Sequence, residues 1–310
     1  MKHKPHLPQK LLALSIVLFT AAAALVWPAR LAGGLQPTPA TTPAATPSAP
    51  ATPAATTPAA PAGPEVTAES INYTVGDRTF RGMLYRPASI PAGEKRPGIL
   101  VFHEWWGAND YSMDRARQLA QLGYVAFAAD MYGDGKLTTD PEQAGKWAGE
   151  LNKDDAGRAA RLAAAVDVLK KRADVDALRL AAVGYCMGGT MALEAARGSD
   201  SIVAVACLHT SNFLAKDPAK TVPLKAEVLV CHGAADTHVQ QSNLDAFIAA
   251  MKAASPPRPC TLVVHPGAVH AFTNPHADAY GQKGVGYNKA ADEESWKQMK
   301  SLFERTIDRK

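Results

Sequence analysis

The residues Gly184-Tyr185-Cys186-Met187-Gly188-Gly189 join an apolar run at residues 178–185 to an amphipathic stretch at residues 187–197. The periodicity of the two segments predicts a buried strand that turns directly into a helix. Glycine is needed at such a turn, because strand and helix lie so close that a side chain would collide with its neighbours. The pattern Gly-x-Cys-x-Gly is that of a nucleophile elbow, with cysteine in the place that serine usually takes.

The elbow predicts a reactive role for Cys186. The turn lifts its side chain to the top of the sheet and places it at the N-terminus of a helix, where the positive end of the helix dipole stabilises a thiolate. The thiolate is the nucleophilic form of cysteine. The alternative interpretation is a buried cysteine at an ordinary turn between a strand and a helix.

Apolar runs alternate with amphipathic stretches on both sides of the elbow. Predicted strands cover residues 70–75, 80–86, 98–103, 124–129, 178–185, 202–208, 226–232 and 261–265. Predicted helices cover residues 110–122, 154–171, 187–197, 240–253 and 290–307. This order predicts the α/β class, with a mostly parallel central sheet, helices on both faces and an antiparallel leading pair of strands. Ligands bind such sheets at the carboxyl ends of the strands, so catalytic residues are expected there.

Two of these strand ends carry an acid and a base. Asp236 follows the strand at residues 226–232, and His270 follows the strand at residues 261–265. The chain order of nucleophile, acid and base fits the elbow, with spacings of 50 and 34 residues. His270 is expected to act as general base and acid, while Asp236 fixes its tautomer and stabilises the imidazolium. The alternatives are a helix N-cap at Asp236 and a solvated loop histidine at position 270. Other histidines fit less well, since they lie at strand ends or open a helix: His103, His232, His265 and His238.

The segment His103-Glu104-Trp105-Trp106-Gly107 follows the strand at residues 98–103. It does not complete a zinc-binding His-Glu-x-x-His motif, because position 107 is glycine and the context is a strand. Its place instead predicts an oxyanion hole formed by the backbone N–H groups of Trp105 and Met187. Glu104 is expected to hold or receive the thiol proton; the alternative is a carboxylate paired with an arginine at the rim. The tryptophan side chains either line a pocket or pack in the core.

The sequence predicts no metal site and no cofactor. Its four cysteines are irregularly spaced and form no Cys-x-x-Cys pair, so neither a zinc knuckle nor a thioredoxin-type redox motif is indicated. Cys207 and Cys231 lie in apolar runs and are expected to be buried. The sequence leaves open whether a disulfide forms among Cys207, Cys231 and Cys260.

Charge separates the first 64 residues from the rest of the chain. Of the 33 Lys and Arg and 29 Asp and Glu residues, this segment holds four bases and no acid: Lys2, Lys4, Lys10 and Arg30. Residues 65–310 are therefore formally neutral. A nucleic-acid-binding domain needs a net basic face, so that class of function is not expected.

The same N-terminal segment predicts export. Basic residues precede an apolar run at residues 11–27, so residues 1–35 are expected to be either a cleaved signal peptide or a short membrane anchor. Residues 36–64 are almost wholly Pro, Ala and Thr, a composition that predicts a disordered linker. The folded domain is expected at residues 65–310, in the bacterial periplasm or cell envelope, with the inner membrane as its tether if the apolar run is retained.

The elbow, the downstream Asp236 and His270, and Glu104 after the first central strand resemble the dienelactone hydrolase family of the α/β-hydrolase fold, over about residues 75–308. The resemblance implies an ester or lactone hydrolase of the carboxymethylenebutenolidase type, acting on a small molecule without a cofactor. It implies Cys186 as the nucleophile that forms a thioester, and Glu104 as the group that controls the Cys186 proton. The expected substrate contacts lie on loops near strand ends: Trp106, Tyr132 and Phe272.

The sequence departs from this family at a substrate-binding position. The best-known members carry an arginine four residues after the catalytic histidine, where it grips a substrate carboxylate, but position 274 here is asparagine. The loop after Asp130 offers Lys136 and no arginine, and lysine does not reproduce a bidentate clamp. A less anionic substrate is therefore expected. The residues indicate neither the natural substrate nor the oligomeric state.

Two other classes of function compete with a hydrolase. One is an envelope-tethered binding module that has the fold but no catalysis, and the other is a thiol redox sensor that uses Cys186. The complete set of Cys186, Asp236, His270 and Glu104 argues against the binding module, since a scaffold has no need of all four. The lack of a resolving cysteine argues against the sensor.

Overall fold

The apolar runs predicted as strands form a single eight-stranded sheet in the computed structural model, which describes residues 64–217, 220–222 and 224–308. The predicted targeting segment at residues 1–35 and nearly all of the predicted linker lie outside the described residues. Within the described ranges, no helix is both long enough and apolar enough to cross a bilayer.

The strand order is β1-β2-β4-β3-β5-β6-β7-β8. The strands are β1 Val66–Val75, β2 Arg78–Pro87, β3 Arg96–Phe102, β4 Val125–Ala129, β5 Val175–Tyr185, β6 Ile202–Leu208, β7 Glu227–Gly233 and β8 Cys260–His265. β2 is antiparallel to both β1 and β4, and every other neighbouring pair is parallel. The predicted fold class, a mostly parallel sheet with an antiparallel leading pair, is confirmed.

Helices cover both faces of the sheet. They are α1 Asp110–Gln121, α2 Pro141–Lys153, α3 Asp155–Lys170, α4 Met187–Gly198, α5 Gln241–Ala253 and α6 Lys289–Thr306, and a 3-10 helix spans Ala277–Tyr280. The sequence did not predict α2, because it contains two glycines and buries only Ala144 and Leu151. Its start is nevertheless well defined, since the Asp140 side chain accepts a hydrogen bond from the Glu142 N–H.

The sheet is buried on both faces, which explains why its central strands are continuously apolar. In β3, Leu100 and Phe102 pack in one core layer, while Ile99 and Val101 pack in the other. Helices α3, α4 and α5 contribute to the first layer, and α1 and α6 contribute to the second. The burial of both layers holds the central strands in one register.

That register brings the carboxyl ends of five strands to one edge. Phe102 of β3 pairs with Gly184 of β5, Tyr185 pairs with Leu208 of β6, and Gly233 of β7 pairs with His265 of β8. The loops that carry the predicted catalytic residues all begin at this edge. The sheet therefore gathers side chains that are far apart in the sequence.

The elbow fixes how closely α4 can approach β3. A Cβ at Gly188 would lie 2.2 Å from the Phe102 carbonyl oxygen and 2.7 Å from that of His103. We predict that Gly188→Ala lowers the free energy of unfolding by about 3 kcal/mol, because backbone on both sides prevents relaxation. Urea denaturation of the two proteins measures the difference.

Gly149→Ala is the matched control, since a Cβ at that position of α2 meets no neighbouring atom within 4 Å. It should raise the free energy of unfolding by up to about 1 kcal/mol through its helix propensity. Equal destabilisation by the two substitutions would contradict the close approach of α4 to β3.

Candidate active site

Cys186 occupies the turn between β5 and α4 with φ 55° and ψ −120°. This left-handed conformation is rare for a residue with a side chain and costs about 1 kcal/mol or more, so the surrounding structure must hold it. The Cys186 N–H donates to the Leu208 carbonyl at 3.0 Å and to Nδ1 of His209 at 3.1 Å. Its carbonyl accepts from the N–H groups of Gly189 and Ser211. The half-buried thiol is thereby directed out of the turn.

The structure brings Cys186, His270 and Asp236 together in one hydrogen-bonded series. The Cys186 Sγ lies 3.0 Å from Nε2 of His270, whose Nδ1 lies 2.8 Å from Oδ2 of Asp236. The second Asp236 oxygen accepts the His238 N–H at 2.9 Å. Because Asp236 only accepts, the Nδ1 proton stays on the ring and Nε2 faces the thiol as a base.

The geometry excludes the non-catalytic interpretations of these two residues. The N-cap of α5 is Gln240, not Asp236. His270 is 6% exposed, so it is not a solvated loop histidine. The catalytic roles of the three residues stay predictions, and their mutual placement is the one that those roles require.

The charges of neighbouring groups shift the pKa values of both His270 and Asp236. Burial alone would lower the pKa of His270, but the thiolate charge of Cys186 and the Asp236 carboxylate outweigh it and hold that pKa well above its ordinary value. Burial alone would likewise raise the pKa of Asp236, but the His270 hydrogen bond and charge bring it below the ordinary value. Both shifts favour an imidazolium between two anions, the ion pair that an activated cysteine needs.

The residues predicted to form the oxyanion hole lie near Cys186: Met187 follows it in the chain, and Trp105 lines the same cleft. Met187 is the first residue of α4, so its N–H has no acceptor inside the helix, and Trp105 lies on the loop after β3. In the described part of the chain neither N–H donates a hydrogen bond. The Tyr132 hydroxyl donates to the Trp105 carbonyl at 2.9 Å and lies 3.7 Å from the Met187 sulfur.

Glu104, the residue before Trp105, is buried, with 2% of its surface exposed. Its Oε2 accepts a hydrogen bond from Nδ2 of Asn274 at 2.7 Å, and across the described residues no arginine pairs with it. The alternative of an arginine-paired carboxylate at the rim is therefore wrong. Burial raises the pKa of Glu104 to about 7, although the Asn274 hydrogen bond partly opposes the shift.

The thiol and Glu104 have different partners in this structure. The resemblance implies that Glu104 controls the Cys186 proton, but the hydrogen bond of the thiol goes to His270 and that of Glu104 goes to Asn274. In this structure the hydrogen-bond partner of the thiol is therefore His270 and not Glu104. The role of Glu104 stays a prediction.

A cleft of about 200 Å³ opens over the thiol. Its walls are formed by Glu104, Trp105, Trp106, Cys186, Ser211, His238, His270, Ala271, Gln282 and Val285. None of these residues is a lysine or an arginine. Trp106 lines the cleft and packs on Tyr280, with ring centroids 4.4 Å apart. A larger cavity of about 420 Å³ lies between α3 and α4 and includes none of the predicted catalytic residues.

Two of the predicted substrate contacts do not line the cleft. Phe272 is fully buried and packs against the rings of His209 and His265 in the core. Tyr132 lies behind the loop after β3, where its hydroxyl holds Trp105 instead of lining the cleft. Position on a loop near a strand end predicted both residues, but it does not determine which way a side chain points.

Two further histidines lie near His270. His209 was not predicted, and His238 was predicted in a different role. The ring of His209, the residue after β6, lies 5.3 Å from the His270 ring, and no motif marks it. The centroid of the His238 ring lies 5.0 Å from that of the His270 ring. His238 precedes α5 by three residues and lines the cleft, so the expectation that it opens that helix is wrong.

The four cysteines are free thiols in this structure. Cys207 and Cys231 are fully buried, as their apolar surroundings predict. Among the described residues, no group of three or more His, Cys, Asp or Glu side chains is arranged to hold a metal ion.

Comparison with known proteins gives a consistent set of similarities. The sequence model of the dienelactone hydrolase family matches residues 80–307. A Methylorubrum extorquens protein, named as a proposed carboxymethylenebutenolidase, is 30% identical over 72% of this chain and 77% of its own length. A solved structure titled m3DLH is 38% identical, covers 78% of this chain and 99% of its own, and has a TM-score of 0.72. The metagenomic protein P91, described as a dienelactone hydrolase-like promiscuous phosphotriesterase, is 33% identical with the same coverage and a TM-score of 0.73.

The raised pKa of Glu104 predicts how its substitution changes stability with pH. The folded protein keeps the Glu104 proton up to about pH 7, whereas the unfolded chain releases it near pH 4.5. Wild-type stability therefore falls by roughly 3 kcal/mol across that interval. Glu104→Gln has no proton to lose and keeps an acceptor for Asn274. The free energy of unfolding of Glu104→Gln, taken relative to that of wild type, should rise by roughly 3 kcal/mol between pH 4.5 and pH 8, as measured by urea denaturation.

The control is Glu150→Gln, which removes a carboxylate from an exposed position on α2. It accounts for the change in net charge alone. A stability difference between Glu104→Gln and wild type that is the same at both pH values would contradict the raised pKa.

Proposed function

Because the chain belongs to the dienelactone hydrolase family, and is therefore a carboxylic ester or lactone hydrolase, we propose that it cleaves small uncharged esters or lactones through a thioester on Cys186. The observation that carries the proposal is the hydrogen-bonded series from the Cys186 thiol through His270 to Asp236, with distances of 3.0 and 2.8 Å. A nucleophile, a base and a group that orients the base are thus in direct contact.

The first half of the reaction makes the thioester. Nε2 of His270 takes the Cys186 proton, and the thiolate attacks the carbonyl carbon of the substrate. The carbonyl oxygen becomes an oxyanion, which the N–H groups of Trp105 and Met187 stabilise. The tetrahedral intermediate collapses with cleavage of the C–O bond, and the departing alkoxide receives the proton from His270. For a lactone, the alkoxide remains attached to the acyl group.

The second half returns the free enzyme. His270, neutral again, takes a proton from water, and the resulting hydroxide attacks the thioester carbon. The same two N–H groups stabilise the second oxyanion. Cleavage of the C–S bond then releases the carboxylic acid, and the thiolate recovers its proton from His270. Asp236 stabilises the imidazolium in both halves through the bond to Nδ1.

The lining of the cleft supports an uncharged substrate. Among the walls described above, Glu104 is the carboxylate, His238 and His270 are the imidazoles, and none of the residues is a lysine or an arginine. Asn274 donates to Glu104, while Lys136 pairs with Asp134 at 3.9 Å and does not line the cleft. A substrate carboxylate would therefore lose its hydration without gaining a lysine or arginine partner. The volume of about 200 Å³ suits a small acyl or aryl group.

Phosphotriester hydrolysis is a second candidate activity of the same nucleophile. It is favoured by a cleft without lysine or arginine and by the 33% identity to P91, a promiscuous phosphotriesterase by description. In that reaction the thiolate attacks phosphorus and expels an alkoxide or aryloxide. A neutral triester such as paraoxon, assayed beside the esters, tests it.

We also propose that the domain acts outside the cytoplasm. The support is the basic, apolar segment at residues 1–35 followed by the Pro/Ala/Thr-rich segment at residues 36–64. Fractionation of bacteria that produce the whole chain, with and without residues 1–35, tests the proposal. Retention of the whole chain in the cytoplasm would contradict it.

The nucleophile is tested by removing the thiol. Cys186→Ala should lower kcat for 4-nitrophenyl acetate by at least about a thousandfold, because the substitution removes the proposed nucleophile. His270→Ala should leave a fraction of the enzyme as an acyl adduct on Cys186, visible by mass spectrometry. Cys260→Ala, which changes a half-buried thiol away from the cleft, is the control and should retain full activity. Unchanged turnover by Cys186→Ala would overturn the mechanism.

The charge preference is tested with two esters of equal length. 4-Nitrophenyl pentanoate is neutral. Mono-4-nitrophenyl glutarate has the same number of acyl carbons, but its last carbon is a carboxylate where the pentanoate has a methyl group. At pH 8 the neutral ester should have the higher kcat/KM, by at least about tenfold, because the carboxylate meets Glu104 and neither a lysine nor an arginine. Glu104→Gln should reduce this ratio. A preference for the anionic ester would contradict the uncharged substrate class.

A further inference from the structure

His209 lies beneath the elbow and has no place in the reaction described above. It follows β6 directly, is 0% exposed and has φ 41°, a left-handed conformation. Such a backbone costs about 1 kcal/mol or more in a residue other than glycine, so contacts must hold it. Its N–H donates to the Cys231 carbonyl at 2.9 Å, and both of its ring nitrogens have partners.

These partners determine the protonation of the ring. Nδ1 lies 3.1 Å from the Cys186 backbone nitrogen, and because a backbone N–H can only donate, Nδ1 must be the acceptor. The proton is therefore on Nε2, which donates to the Thr273 hydroxyl at 2.7 Å. Burial, followed by the charge of His270, lowers the pKa of His209 well below its ordinary value, so the ring stays neutral.

Thr273 is fixed independently on its other sides. Its hydroxyl also contacts the Tyr111 hydroxyl, and its carbonyl accepts from Arg115 at 2.6 Å. Arg115 in turn pairs with Asp292 at the start of α6. Thr273 lies on the loop after β8, the loop that also carries the base His270. These contacts anchor Thr273 to α1 and, through Arg115, to α6. The hydrogen bond between His209 and Thr273 joins this anchored loop to the elbow.

We infer that His209 and Thr273 form a buried clamp that positions the Cys186 thiol against His270. His209 holds the backbone N–H of the nucleophile, Thr273 holds the loop of the base, and the bond between them fixes their separation. Both are positioning residues, since neither lines the cleft. The inference rests on the proposed function only in giving the pair a catalytic purpose, because the placement of thiol and imidazole exists without a substrate.

The neutral ring of His209 also suits the charge that forms beside it. Its ring lies edge-to-face with that of His270 at 5.3 Å. When His270 takes the thiol proton, a positively charged neighbour at this distance would repel the new charge. The locked tautomer of His209 supplies one acceptor and one donor and adds no charge. The clamp therefore holds the ion pair without opposing its formation.

The test uses the full chain and a reaction that needs no substrate. Alkylation of Cys186 by iodoacetamide, followed by peptide mass spectrometry, measures the thiolate at pH 6.5 and pH 9.5. Thr273→Val keeps the shape and removes the hydroxyl, and Thr273→Ser is its matched control. His209→Phe, a second variant, keeps a ring and removes both hydrogen bonds. Circular dichroism and thermal unfolding identify which variants are folded.

We expect the Val and Phe variants to alkylate about tenfold more slowly than wild type at pH 6.5, where the thiolate depends on His270. At pH 9.5, where thiols ionise unaided, the rates should agree within about twofold. Thr273→Ser should retain the wild-type profile. With 4-nitrophenyl acetate, kcat of the Val variant should fall about tenfold with KM changed less than about twofold.

Wild-type alkylation rates at pH 6.5 in both folded variants would overturn the clamp. An equal loss at both pH values would also overturn it, because the effect would then be general damage to the elbow. Fast, clamp-dependent alkylation in a protein that hydrolyses no ester would support the clamp and overturn the proposed function. The two inferences therefore fail separately.

Discussion

The close approach of α4 to the carboxyl end of the sheet is the constraint on which the site depends. Gly188 lets the helix begin against the carbonyl oxygens of Phe102 and His103. That position leaves the Met187 N–H unpaired and forces Cys186 into a left-handed conformation. The turn costs free energy locally, and hydrogen bonds to Leu208 and His209 offset the cost. A looser turn would avoid the strain, but it would neither expose the thiol nor direct a free N–H beside it.

The fold was predictable from the sequence wherever burial alone determined the structure. Central strands that are covered on both faces must be continuously apolar, so each of them is visible as an uninterrupted run. The helix α2 was missed because it contains two glycines and buries only two side chains. It is determined by an Asp140 cap and by packing against α3, which are properties of the neighbouring structure. Periodicity detects the burial of an element, and it fails where an element stays near the surface.

The candidate site was predictable to a similar extent and for a related reason. Gly-x-Cys-x-Gly and two strand ends were enough to select Cys186, Asp236 and His270, because backbone geometry places those positions. Side-chain direction was not predictable, so Tyr132 and Phe272 were assigned to the substrate although they hold a loop and fill the core. His209 was missed because its importance lies in two partners, Cys186 and Thr273, that are far from it in the sequence. Only the register of the sheet brings the three together.

The balance of charge around the thiol links the structure to the class of substrate. Asp236 is a lasting anion, Glu104 has a pKa near 7, and His209 is locked neutral. His270 acquires a positive charge when it takes the thiol proton, and that charge forms between Asp236 and Cys186. An arginine at position 274 would add a permanent cation and hold Glu104 ionised. The Asn274 amide instead lets Glu104 keep a proton near neutrality. The charges of the ion pair then cancel within the cleft, and a neutral substrate leaves that balance undisturbed, whereas an anionic substrate would compete with the thiolate for the imidazolium.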